Sequence, residues 1–283
     1  MGDQMALTRE TLAEQFFGGD AQAARCLFEP TRDDVALHIP GGARNNPLVS
    51  IDWWPYLATL LDNRDIGPFE FDVIQKGTAI HTRAFLDSKS NPSAEAISKA
   101  LDQGATLRIF GVSRFEPNCA AQLQLLRKVL RREAFVNLYL TPPQRPGLNL
   151  HFDLEDSIAV QVKGEKIWKL YASSGAARYP RELSVGPPPV SGEPTQIIHM
   201  RAGDVLYVPS GLTHTVETRS SSSQHVTFGV HVSRQVTMLG ALLDEFAATQ
   251  EELRRPIRSD EQVSRQQLAE WAGRFADWAK QGR

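Results

Sequence analysis

The chain has 283 residues, 31 Lys+Arg against 33 Asp+Glu, and 41% hydrophobic residues. That apolar share supports a large core and excludes wholesale disorder, and a formal charge of -2 lacks the basic excess of a dedicated nucleic-acid binder. Cys26 and Cys119 are too few for a disulfide framework, and neither a secretory apolar stretch nor a membrane-length apolar run is present, so a cytoplasmic chain with no membrane partner is expected.

In chain order, Thr8 caps a predicted helix running to Phe17, with Leu12, Phe16 and Phe17 in helical register. Residues 28–80 are mixed and broken by Pro and Gly, with strand-like Val35–Ile39 and Phe69–Ile74. Trp53-Trp54 reads as core or helix packing. Ser93 caps a short helix that stops at Gly104. Thr106–Val112 reads as a strand, and Asn118–Arg132 as an amphipathic helix with Leu123, Leu126, Val129 and Leu130 on one face. From Ala134 to about Val232 short strands alternate with turn-rich segments: Phe135–Leu140, Ile158–Lys163, Ile167–Tyr171, Ile197–Met200, Asp204–Val208, Thr213–Glu217 and Val226–Val232. That spacing predicts a sandwich or barrel. The rest is helical, Thr237–Leu253 and Asp260–Lys280. The second helix carries Leu268, Trp271, Phe275 and Trp278 at 3, 4, 3 spacing, a stripe that suits either packing on the barrel or a homodimer seam.

The chemistry lies in the strand-rich part. Residues i and i+2 of a strand point to one face, so His151 and Asp153 can converge on one ion. His214 follows a tight turn, an apolar strand and a second turn, which can return the chain to deliver a third ligand. Two imidazoles and a carboxylate on one face of a metal leave open positions, the arrangement of non-haem Fe(II) oxygenases. Alone, His-x-Asp is common, and a single strand histidine is more often a hydrogen-bonded structural residue. Lys166 sits near the turn of a predicted hairpin. It is either a solvated lysine or an inward cation able to pair with the distal carboxylate of a dicarboxylate. Asn137, Tyr139 and Thr141 share one strand face, opposite Val136, Leu138 and Leu140, and suit a polar pocket wall or an exposed sheet face.

Asn137-x-Tyr139-x-Thr141-Pro-Pro, then His151-x-Asp153, then Gln161-x-x-Gly-x-Lys166-x-Trp-x-Leu-Tyr171, then Gly203-Asp-x-Leu-Tyr-x-Pro-x-Gly-x-x-His214, then His225-x-Thr-x-Gly229 resembles the JmjC/cupin-like oxygenases, above all the branch containing the ribosomal oxygenases. The resemblance covers about residues 100–232, with five motifs in order. It implies a mainly β fold with flanking helices, a double-stranded β-helix or jelly-roll, and a helical tail. It implies Fe(II) held by His151, Asp153 and His214, with 2-oxoglutarate and O2 as cosubstrates and no separate acid or base. Lys166 matches the family lysine for the 5-carboxylate, and Tyr139 and Asn137 match positions that help hold the cosubstrate. His225 matches a histidine of the same pocket. Some relatives place a serine where this chain has Gly229.

The organisation that follows is residues 1–99 as a mixed section packing on the core, 100–235 as the catalytic core, and 236–283 as a helical region that is a candidate for dimerisation and lacks room for a winged helix. The expected activity is hydroxylation of an amino-acid side chain in a protein, peptide or small amino-acid-like substrate, releasing succinate and CO2. The alternatives are a metal-binding cupin without oxygenase activity, which would have no need of Lys166, and an N-methyl demethylase using the same site.

Overall fold

The computed structural model describes residues 9–29, 35–145, 147–172, 192–219, 221–258 and 262–281; the expected cap at Thr8 and the start of the last helix at Asp260 lie outside them. The chain divides into two compact units, residues 1–232 and 233–283.

Among the described residues, the first unit contains four α-helices: α1 (Arg9–Phe16), α2 (Trp53–Asp62), α3 (Ala94–Asp102) and α4 (Pro117–Leu130). Their starts are chemically marked. Asp52, Ser93 and Glu116 each accept a hydrogen bond from a first-turn amide, and Pro117 opens α4 where its missing N–H costs nothing. The strands are β1 (Leu37–Ile39), β2 (Phe71–Gln75), β3 (Thr78–Ile80), β4 (Thr106–Phe110), β5 (Ala134–Thr141), β6 (Asp156–Lys163), β7 (Glu165–Leu170), β8 (Gln196–Arg201), β9 (Val205–Val208), β10 (His214–Glu217) and β11 (Ser223–Val230). The expected strand from Thr106 stops at Phe110, because Gly111 takes a left-handed conformation (φ 59°) and begins a short 3-10 turn.

Every strand pairing among the described residues is antiparallel. An eight-stranded sheet runs β1-β9-β6-β11-β5-β4-β2-β3, and a three-stranded sheet runs β10-β7-β8. This is the double-stranded β-helix expected from the motif order. β1 to β3, from the first hundred residues, hydrogen-bond directly into the large sheet.

Strand parity sorts the side chains. On β5, Val136, Leu138 and Leu140 join the main core with the helices, as do Ile158 and Val160 of β6 and Val226, Phe228 and Val230 of β11. The alternate residues turn the other way. Ala159, Leu206 and Val208 meet Trp168, Leu170, Met200 and Val216 of the small sheet in a second core. The inward polar residues Asn137, Thr141, Gln161, Lys166, His225 and Thr227 are buried beside it. Trp53 is fully buried in the main core, while its neighbour Trp54 packs at the edge.

Phe228 shows what the main core is worth. It is fully buried on β11 and meets Phe16 edge-on, with centroids 5.2 Å apart. Phe228→Ala is expected to lower unfolding stability by about 3–5 kcal/mol, read as a fall in the urea midpoint without a change in slope.

The second unit holds α5 (Gln235–Thr249) and α6 (Arg265–Lys280). α6 begins with a reciprocal capping box between Ser264 and Gln267. Phe246 is the buried anchor, flanked by Phe275 and Trp278 with centroids 5.7 Å away in each case. Of the expected stripe, Trp271, Phe275 and Trp278 are half-buried and Leu268 is exposed. No helix among the described residues is long and apolar enough to cross a membrane.

Candidate metal centre and buried lysine pocket

His151 and Asp153 lie in the segment leading into β6, and His214 opens β10. The two histidines face each other across one antiparallel bridge: the His151 amide donates to the His214 carbonyl at 3.1 Å, and the His214 amide returns the bond at 2.8 Å. The His-x-Asp pair is therefore not on a regular strand, as its spacing predicts. Instead Asp153 is pinned by the Gly211 amide, which donates to its carbonyl at 2.8 Å, and by Ser157 Oγ, which donates to Oδ2 at 3.3 Å.

Each imidazole is oriented by a backbone carbonyl two residues earlier. His151 Nδ1–H donates to Asn149 O at 2.7 Å, and His214 Nδ1–H donates to Leu212 O at 2.9 Å. Both Nε2 atoms then face the same carboxylate, each 3.9 Å from an Asp153 oxygen. The three donor atoms all lie within 4.8 Å of one another, the only such group among the described residues. These three side chains would hold a divalent ion. Burial, reinforced by the neighbouring His151, pushes the His214 imidazole down to about 4, so it is neutral and ready to coordinate at physiological pH.

Lys166 is 2% exposed. It is the second residue of β7, and strand parity turns it inward, so it is not the solvated hairpin lysine that its sequence neighbourhood equally allows. Its ammonium donates to Thr141 Oγ1 at 3.2 Å and to His225 Nδ1 at 3.0 Å, and no carboxylate is paired with it among the described residues. Burial alone pulls its pKa down to about 7. His225 is held well below its ordinary value, first by burial and then by the Lys166 charge, which leaves Nδ1 free to accept. Its ring stacks on Tyr139 at 4.6 Å and 8°. Burial raises the Tyr139 phenol, opposed by the charge of the Arg108 guanidinium, which is itself bound to Asp72.

Tyr139, Lys166, His225 and the three candidate ligands line one small cavity of about 30 Å³. Asn137 does not line it. Its side-chain oxygen accepts from the Gly111 amide at 3.3 Å, on the same β5 face one pair of residues from Tyr139. Thr227 and Trp168 also line the cavity. Parity from His225 and Lys166 makes both findable in the sequence. Thr106 lines it too, donating to Thr141 Oγ1 at 3.1 Å, but that needs the β4–β5 register, which no local pattern encodes. At Gly229 an added Cβ would fall 2.3 Å from the Phe135 ring, so an aromatic occupies the space a side chain there would need. Of the remaining histidines, His38 bonds to Asp204 at 3.1 Å and His231 is exposed near Glu155, outside the cavity.

Residues 112–238 match the family model "JmjC domain". Over 148 residues the chain is 30% identical to the bifunctional lysine-specific demethylase and histidyl-hydroxylase NO66 of Drosophila willistoni, covering 50% of this chain and 19% of that protein. It is 28% identical over 181 residues to ribosomal oxygenase 1 of Gallus gallus, covering 56% of this chain and 29% of that protein. The chain thus spans less than a third of either curated relative. Among solved structures, YcfD, a ribosomal oxygenase from Escherichia coli in complex with cobalt and 2-oxoglutarate, superposes with a TM-score of 0.57 at 14% identity, covering 90% of this chain and 66% of that one.

Proposed function

We propose that this chain, which carries a JmjC domain of the ribosomal oxygenase branch, is an Fe(II)- and 2-oxoglutarate-dependent oxygenase that hydroxylates an amino-acid side chain of a protein substrate. One observation supports this above the others: a two-histidine, one-carboxylate cluster shares a cavity with a buried lysine that has no carboxylate partner among the described residues. A metal-binding cupin without oxygenase activity has no use for that lysine.

In this reading His151, Asp153 and His214 would hold the iron. Lys166 takes the far carboxylate of 2-oxoglutarate as a charge-assisted pair. Thr141 and His225 hold the ammonium on target, and the Tyr139–His225 stack forms the wall beside it. When bound, the iron and cosubstrate supply the oxidising chemistry that inserts one oxygen atom of O2 into a substrate bond and leaves succinate and CO2. The protein's contribution is position, exclusion of water and a fixed charge. No side chain of the cavity is assigned as a separate acid or base. The relatives' names couple demethylation with hydroxylation; the same site acting on an N-methyl group would release formaldehyde.

Unpaired Cys26 and Cys119 suit the reducing cytoplasm. Met238, Leu239, Leu242 and Leu243, exposed on α5, suit pairing of the tail with a second copy.

The test is succinate release from 2-oxoglutarate with Fe(II), ascorbate and air, followed by proteome-wide search for +16 Da marks. Substrate-stimulated succinate without formaldehyde supports hydroxylation; stoichiometric formaldehyde supports demethylation; no 2-oxoglutarate turnover and no binding of it refutes both.

A further inference from the structure

The β2–β3 hairpin lies outside the motifs that define the site, yet it touches the segment that carries one of the candidate ligands. Its turn residue Gly77 has φ +80°, and its carbonyl accepts a hydrogen bond from the Asn149 amide at 3.2 Å. The contact is close. A Cβ on Gly77 would fall 1.9 Å from Asn149 Oδ1, 2.2 Å from its Cγ and 2.8 Å from its backbone nitrogen. Asn149 in turn offers its own carbonyl to His151 Nδ1–H at 2.7 Å. Residue 149 is thus held through its N–H by the Gly77 carbonyl and holds the His151 ring through its own C=O, the two peptide units meeting at its Cα. Two residues earlier the Gly147 amide donates to the Val216 carbonyl at 2.7 Å, which fixes the same segment to β10.

We infer that Gly77 and Asn149 are positioning residues for the metal centre: the hairpin turn sets the carbonyl that fixes the tautomer and ring orientation of His151. His214 has its own carbonyl partner, Leu212, which follows β9 and owes nothing to the hairpin. The two imidazoles are therefore oriented by separate parts of the chain, and the one nearer the surface depends on the N-terminal section. Partners of this outer kind typically change metal affinity roughly 10–100-fold when removed. The inference rests on His151 being a metal ligand.

The experiment uses the full chain with Co(II) in place of iron, read by the visible d–d absorption and by the shifted exchangeable Nδ1–H proton resonances of the two ligand histidines. The variants are Gly77→Ala, which forces Asn149 away, and Asn149→Gly, which removes the side chain packed on Gly77 and adds no clash. The expected result is an approximately tenfold or greater loss of Co(II) affinity in Gly77→Ala. With it, the resonance assigned to His151 should move or broaden in both variants while that of His214 stays in place. If affinity and both resonances are unchanged, or if both resonances change together, the inference is overturned while the metal reading stands. Absence of any Co(II) binding by the wild-type chain overturns the metal reading and the inference with it.

Discussion

Asp153→Ala is expected to abolish productive metal binding while leaving the fold intact. The carboxylate is the only anion among the three candidate ligands, and both Nε2 atoms face it at 3.9 Å. Without it two neutral imidazoles remain, which hold a divalent ion weakly, so affinity should fall about a thousandfold or more and 2-oxoglutarate-dependent succinate formation should fall below detection. The side chain is 40% exposed, and the backbone at 153 is anchored by the Gly211 amide rather than by the carboxylate. The metal-free variant should therefore unfold within a few degrees of wild type. Anaerobic titration with Fe(II) and 2-oxoglutarate, followed by the charge-transfer absorption of the ternary complex, measures the first effect and thermal unfolding the second. A variant that retains the absorption band refutes the ligand assignment.

Lys166→Met should move two quantities in opposite directions. It removes the charge but keeps an unbranched side chain of similar length, so packing survives. Loss of a charge-assisted pair with the cosubstrate should raise the apparent KM for 2-oxoglutarate about a hundredfold, with a smaller change in kcat at saturation. The metal-free protein, however, should become more stable, because a buried cation without an anionic partner is lost.

The pH dependence has a definite sign. In the fold Lys166 titrates at about 7, against an ordinary value of 10.5. Between those two values the unfolded chain binds the extra proton, so wild-type stability rises with pH across that window. The stability advantage of Lys166→Met should be greatest below pH 7 and shrink as pH rises towards 10.5. Cosubstrate binding runs the other way. A carboxylate favours the ammonium form, so 2-oxoglutarate affinity should weaken as pH rises above 7, by up to about tenfold per unit. Urea midpoints of both proteins at pH 6 and 9, with calorimetric titration of 2-oxoglutarate at the same values, decide the point. A gap that does not depend on pH would show that Lys166 stays charged throughout.

The candidate site was largely legible because strand parity is a period of two. Once Lys166 is placed on β7, Trp168 follows; once His225 is placed on β11, Thr227 follows. The apolar face of β5, Val136, Leu138 and Leu140, is read directly from alternation and lies in the main core as expected. What alternation does not carry is the pairing between strands distant in sequence. Thr106 reaches the pocket, and Arg108 comes opposite Tyr139, only through the β4–β5 register, and Asp72 meets Arg108 only through β2–β4. The His-x-Asp segment misleads in a different way. Its spacing is that of a strand, yet a single bridge and the Gly211 amide do the work of a ladder. In the same way, nothing in the sequence around Lys163, Lys166 and Lys169 tells which of the three is inside. Only β7 with its neighbours does, leaving Lys163 to pair with Asp52 and Lys169 with Glu217 at the surface.

The single bridge between His151 and His214 also has a mechanical meaning. His151 and Asp153 lead into the large sheet, whereas His214 begins a strand of the small one. An ion held by all three would act as a cross-link between the two walls of the barrel, closing a loop that starts at His151 and ends at His214. It would add its binding energy to the resistance of the two sheets to separation.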